Sequence, residues 1–148
     1  MIKKIFILTI LIVGLLVALG IVFSRNLYTP PGAIRVSEEF VQRLSSNQLE
    51  AAYELTEKNQ LVGENFADFK IKVSRNWYSA LKMKPALVGS HPPQSYGNRW
   101  KRWLQGREVE MPEVTIQYLV NGIPNFKVRL VYLGNQQWRV MDFQSTAL

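Results

Sequence analysis

IFILTILIVGLLVALGIVF, Ile5 to Phe23, carries no charge in nineteen residues and a single hydroxyl, at Thr9. As a helix rising about 1.5 Å per residue it would run roughly 28 Å, close to the hydrocarbon thickness of a bilayer. Lys3 and Lys4 precede it, and Ser24-Arg25-Asn26 closes it. A cleaved leader would share the basic start, and Ala18-x-Gly20 offers a small-residue cleavage site. Against cleavage, the apolar run continues through Ile21, Val22 and Phe23 with no polar break. No helical phase shows a polar face, which argues against a buried core helix. The expectation is a retained single-pass signal anchor over residues 1–25. Two lysines and the amino terminus lie before the helix, and Arg25 and Arg35 after it, so the N-terminus is expected in the cytoplasm of a bacterial inner-membrane protein, with the C-terminal domain periplasmic or extracytoplasmic. Gly14 and Ala18 form a small-xxx-small pair, the spacing at which membrane helices pack closely.

Working outward, Pro30, Pro31 and Gly32 mark residues 26–33 as a tether. The remaining 34–148, some 115 residues of the 148, suffice for one compact domain and not for two. There is no cysteine. That excludes a disulfide framework, a haem thioether link and a thiolate metal site, and no cofactor is expected.

Val36, Phe40 and Leu44 recur at spacings of four with Val41 beside them, which predicts a helix over Ile34 to Leu44. Ser37, Glu38 and Glu39 suit its N-terminal end. Asn47 with Glu50 three residues on begins a short second helix through Ala51, Ala52, Tyr53 and Leu55. Gly63 and Glu64 open a third, with Phe66, Phe69, Val73, Trp77 and Leu81 on its apolar face and Pro85 ending it. The period then changes to alternation. Ala86 to Gly89 reads as a short strand and His91 to Arg99, with two prolines and Gly97, as a loop. Val109, Met111, Ile116, Tyr118 and Val120 trace a long strand with an irregularity at Pro112. Asn121-Gly122 turns, and Phe126, Val128, Leu130 and Tyr132 alternate against Lys127, Arg129, Val131 and Leu133. Gly134 to Gln137 turns again before a last strand, Trp138 to Phe143. Helices followed by an antiparallel meander make an α+β pattern.

An amphipathic helix, a short helix holding Ala51-Ala52-Tyr53-Glu54-Leu55-Thr56, a helix opening Phe66-x-x-Phe69 and a closing Trp138-x-Val140-x-Asp142-Phe143 strand resemble, in that order, the nuclear transport factor 2-like superfamily. The resemblance spans Ile34 to Phe143 and is nearest to small membrane-anchored bacterial members. It implies a cone of about three helices packed on a curved antiparallel sheet, a homodimer through that sheet, and Tyr118, Trp138 and Asp142 toward the cone's interior. The superfamily hosts isomerases, secretion scaffolds and non-catalytic binding domains, so the fold alone does not give a function.

Enzymes of that superfamily resemble one another in placing a carboxylate or histidine base opposite an oxyanion donor. Here Asp142 shares strand phase with Trp138 and Val140, and Tyr53, Tyr78 and Tyr118 supply hydroxyls. A strand-end carboxylate satisfied by backbone or arginine is the simpler reading of Asp142, and a solvent-exposed ring that of the lone His91. No metal-ligand spacing, phosphate loop or nucleophile elbow occurs. The chain is read as non-catalytic.

Charge is more telling. Nine basic residues and no acid fall from Lys70 to Arg107, whereas seven acids face only Arg43 and Lys58 from Glu38 to Asp68. Arg99-Trp100-Lys101-Arg102-Trp103, with Arg107 following, is the sharpest feature. In a helix both tryptophans share a side; in a strand they oppose. Three readings stay open: one tryptophan plugging the sheet within a solvated basic rim, a partner-protein surface, and contact with anionic lipid. Nucleic acid is a poor fit for a domain outside the cytoplasm, although the net charge of +7 would permit it. The expected function is that of an accessory or assembly subunit of a membrane-protein complex, held to the bilayer by the N-terminal helix. The alternative is a domain capturing a small apolar or anionic ligand in the cone.

Overall fold

The computed structural model describes residues 2–76, 86–120 and 123–145. Its elements run α1 (Ile2–Arg25), β1 (Leu27–Tyr28), α2 (Pro31–Ser45), α3 (Leu49–Tyr53), α4 (Phe66–Asn76), β2 (Ala86–His91), β3 (Gln94–Ser95), α5 (Tyr96–Leu104), β4 (Glu113–Val120), β5 (Ile123–Tyr132) and β6 (Trp138–Ser145). They fall into two compact units, residues 1–28 with 93–109, and residues 29–92 with 110–148.

In the first unit β1 and β3 pair antiparallel, Leu27 opposite Ser95 and Tyr28 opposite Gln94. The stretch expected to be a loop up to Arg99 instead turns directly into α5. Ser95 explains why: its Oγ accepts a hydrogen bond from the backbone N–H of Asn98 at 3.2 Å, the N-cap geometry that satisfies an otherwise orphaned helix donor. Gly97 is a loop residue by composition, but here it permits close approach of the two helices. A Cβ at that position would stand 2.9 Å from the Ser24 carbonyl oxygen of α1. Phe23 and Tyr28 pack on Tyr96 at ring-centroid distances of 4.7 and 5.3 Å.

Among the described residues no helix is long and apolar enough to cross a membrane. This corrects the expected signal anchor over 1–25, and with it the inner-membrane location and the cytoplasmic-to-extracytoplasmic orientation. The helix itself forms, over Ile2–Arg25.

The second unit is a four-stranded antiparallel sheet in the order β2-β4-β5-β6, with α2 packed on one face. Pro31 starts α2 three residues earlier than the apolar spacing suggested, because a proline at the first helical position gives up only a donor that has no partner there. The helix buries Ala33, Ser37, Phe40, Val41 and Leu44. Asn65 opens α4 by accepting from the Asp68 N–H at 3.0 Å while its amide donates to the Asp68 carboxylate at 2.6 Å. Trp77, Tyr78, Leu81, Lys82, Lys84 and Pro85, and the Asn121-Gly122 turn, lie outside the described residues.

β4 begins only after Pro112, which cannot donate to a ladder but accepts from the Tyr132 N–H at 2.8 Å; Val109 and Met111 stay outside the strand. Its register shift falls between Tyr118 and Leu119 rather than at Pro112. The edge strand β6 is covered by the turn after α3, since Val140 donates to Leu55 and accepts from Glu57, both at 2.9 Å. Phe126, Val128 and Leu130 alternate inward with no exposed surface. They meet Phe40, Phe69 and Phe143 in a core where Phe143 lies 5.3 Å from Phe40 and 5.9 Å from Phe69. The α+β class holds. The single cone-shaped domain on a membrane helix is corrected to five helices and two sheets among the described residues, and the face expected to line the cone is filled with packed side chains.

Candidate functional site

α5 settles the geometry that the Trp-basic stretch left open. It is helical, so Trp100 and Trp103 come to one side, with ring centroids 5.1 Å apart. They are 63% and 59% exposed, and Leu104 is 64% exposed. Neither tryptophan plugs a sheet. Together with Gly20, Phe23, Ser24, Tyr96 and Val109 they line an open, largely apolar cavity of about 600 Å³ within the first unit. An aromatic pair left this accessible carries a large apolar area that nothing within the unit desolvates.

The basic residues of α5 and of the turn after it are held in three ways. Arg99 stacks its guanidinium 3.7 Å from the centre of the Tyr28 ring, a cation–π arrangement that fixes the plane of its donors at the cavity wall. Arg102 is turned back, its Nε donating to the Glu108 carbonyl at 2.6 Å, and braces the chain after the helix. Lys101 and Arg107 are exposed. α5 and the chain just after it therefore offer two tryptophans and Leu104 as apolar contacts, Arg99 as an oriented cation and Lys101 and Arg107 as exposed charges. Gly14 and Ala18 sit exposed on α1, with open space beside Gly14.

The three residues expected in a cone interior have separate fates. Tyr118, 2% exposed, bonds its hydroxyl to Ser37 Oγ at 2.6 Å and so ties β4 to α2. Burial pushes its phenol up to about 12, with the Ser37 hydrogen bond opposing and the charge of Glu38 adding to the rise. It is a neutral bracing group at any ordinary pH. Trp138 is buried against Gly32, where a Cβ would come within 2.9 Å of the indole, and lies 5.0 Å from Tyr132.

Asp142 does not share the facing of Trp138 and Val140. Arg129 pairs with Asp142 but Leu130 pairs with Val140, so Met141 is an extra residue and the strand changes phase there. Phe143 takes the inward position, and Asp142 goes to the face carrying Arg129. There its carboxylate is paired with Lys72 of α4, accepts from Gln144 Nε2 at 2.9 Å and stands 3.8 Å from Arg129 Nη2. The bulge carbonyl of Met141 is in turn bonded by Asn59 Nδ2 at 3.1 Å. Sequence phase alone missed this because a one-residue insertion leaves no mark in composition.

Tyr53, the other described hydroxyl considered for chemistry, donates to the Glu64 carbonyl at 2.8 Å, and His91 is exposed at the end of β2. Among the described residues no group of three or more His, Cys, Asp or Glu is placed to hold a metal ion. No protein-family model, curated protein or solved structure matches the chain.

Proposed function

We propose that this protein works by binding rather than by catalysis, as an accessory or adaptor subunit whose partner-contacting surface is the aromatic-basic face of α5. The observation that carries this reading is the Trp100–Trp103 pair, tilted against each other at 5.1 Å yet about three-fifths exposed, beside an apolar cavity. Trp and Arg anchors seated next to apolar pockets are the side chains that most often dominate protein interfaces. The charge of the neighbouring Arg99, Lys101 and Arg107 favours a partner segment that is apolar on one side and acidic at its margin.

Affinity purification of the full-length chain from its own cells, with quantitation of what accompanies it, tests the proposal. A partner recovered in fixed ratio with the wild type, and lost from a Trp103→Ala, Lys101→Glu variant of unchanged melting temperature, is the expected result. Undiminished recovery with that variant sinks it. The cavity favours a second reading, a small apolar ligand with an acidic group set against Arg99. Purification of the chain alone with a bound small molecule, released by Tyr96→Ala, would favour it over the first.

A further inference from the structure

We propose that the outer face of the four-stranded sheet holds a binding site for a small oxyanion, a carboxylate or phosphoryl group, with Arg129 as its principal donor and Lys127 and Thr115 beside it. The site lies in the second unit and owes nothing to α5, so the two proposals stand or fall separately.

A cavity of about 180 Å³ opens there, lined by Thr115, Lys127, Arg129, Asp142, Phe143 and Gln144. Register puts these groups together: Thr115 of β4 faces Arg129 of β5, which faces Asp142 of β6, and Lys127 faces Gln144 one pair along. The volume is below the roughly 300–1,000 Å³ of pockets that enclose a whole drug-sized ligand, so the fit is to a small anion or to the acidic group of a larger molecule.

Arg129 is the reason to expect an anion. Its Nε is buried and has no hydrogen-bond partner. Its Nη2 approaches Asp142 Oδ2 only to 3.8 Å, an ion-pair separation too long for a hydrogen bond. Asp142 has little need of it, being paired with Lys72 through one oxygen and bonded by the Gln144 amide through the other. The one carboxylate is thus already compensated, and Lys127 and Arg129 leave the cavity in positive excess. A guanidinium with an unused edge donor matches the paired oxygens of a carboxylate or phosphate, which accept two parallel N–H bonds. A buried donor left without an acceptor is costly, and an oxyanion reached by that edge as the side chain, 37% exposed overall, turns toward the cavity removes the penalty.

The test is a titration of the full-length ¹⁵N-labelled chain with sodium phosphate and, separately, sodium acetate, holding ionic strength constant with sodium chloride. The arginine Nε–Hε cross-peak absent from the spectrum of Arg129→Lys identifies the reporter. A saturable shift of that peak, with the Thr115 and Gln144 amides following, is expected for at least one anion. Response to phosphate alone assigns a phosphoryl ligand, response to acetate alone a carboxylate, and response to both the shared chemistry. Arg129→Lys keeps the charge but loses the fork, and should abolish saturation at the two amides. Lys127→Gln should raise the dissociation constant about three- to fivefold, while Arg35→Gln should leave it unchanged. Shifts that stay linear, that chloride alone reproduces, or that survive Arg129→Lys overturn the site; if Arg129→Lys does not fold, an unchanged constant in Lys127→Gln does so.

Discussion

Tyr118 lies in the strand whose alternation was plain in the sequence, yet its hydroxyl does something that pattern cannot express. It reaches Ser37 across 81 residues of chain and closes a buried pair that fixes the rotation of α2 over the sheet. Tyr118→Phe leaves the Ser37 hydroxyl buried without that partner and should cost about 1–3 kcal/mol at pH 7. The pH dependence follows from the raised phenol. In the unfolded chain the group ionises near pH 10, in the fold only near about 12. Its contribution is complete below pH 10 and is lost as pH rises from 10 through about 12, by up to about 3 kcal/mol. Denaturant unfolding of wild type and variant, compared as a difference, should show the gap close over that window. A gap that stays constant from pH 7 to 11.5 would mean that the phenol is not held neutral by its surroundings.

Elements divide by how local their cause is. β5 was legible because Phe126, Val128 and Leu130 alternate strictly and one face of the sheet is covered. α2 was legible because its apolar positions recur at helical spacing. α5 was left open between helix and strand at its tryptophans, and its first turn was read as loop, although a capping residue stood at its start. Ser95 is a favourable N-cap residue, its Oγ accepting from the backbone N–H of Asn98, but Pro92, Pro93 and Gly97 around it read as loop punctuation, and only the proximity of Ser24 explains a glycine inside the helix. The bulge at Met141 was illegible for a different reason: its cause is the register of β5 and the reach of Asn59, neither encoded nearby. Two substitutions test how local the causes are, one at the start of α5 and one at the start of α4. Ser95→Ala removes the cap alone and should cost about 1 kcal/mol, read as faster hydrogen exchange at the first amides of α5. Gly63 has φ of +116°, and a Cβ there would sit 2.5 Å from the Phe69 backbone nitrogen. Gly63→Ala must therefore displace the first turn of α4, and should lower stability by at least about 2 kcal/mol. A melting temperature unchanged in Gly63→Ala would show that this turn is not positioned as described.

Charge is distributed over the whole molecule in blocks, and the proposed interface sits within the basic one. Seven acids from Glu38 to Asp68 belong to the second unit, while the α5 region of the first has Arg99, Lys101, Arg102 and Arg107 with no acid between them. Exposed charges of this kind act at a distance and are screened over about 10 Å at 0.1 M salt. Tryptophans act only on contact. The two contributions should therefore separate kinetically once a partner is in hand. Raising salt from 50 to 500 mM should slow association several-fold with little change in dissociation, and Lys101→Glu with Arg107→Glu should remove most of that salt dependence. Trp103→Ala should do the opposite. Truncating a desolvated aromatic anchor costs about 2 kcal/mol or more, so dissociation should quicken roughly thirtyfold at every salt concentration while association barely moves. Surface plasmon resonance on the three proteins distinguishes the outcomes. If Trp103→Ala dissociates at the wild-type rate, its ring stays solvated in the complex and α5 is a charged rim to an interface centred elsewhere.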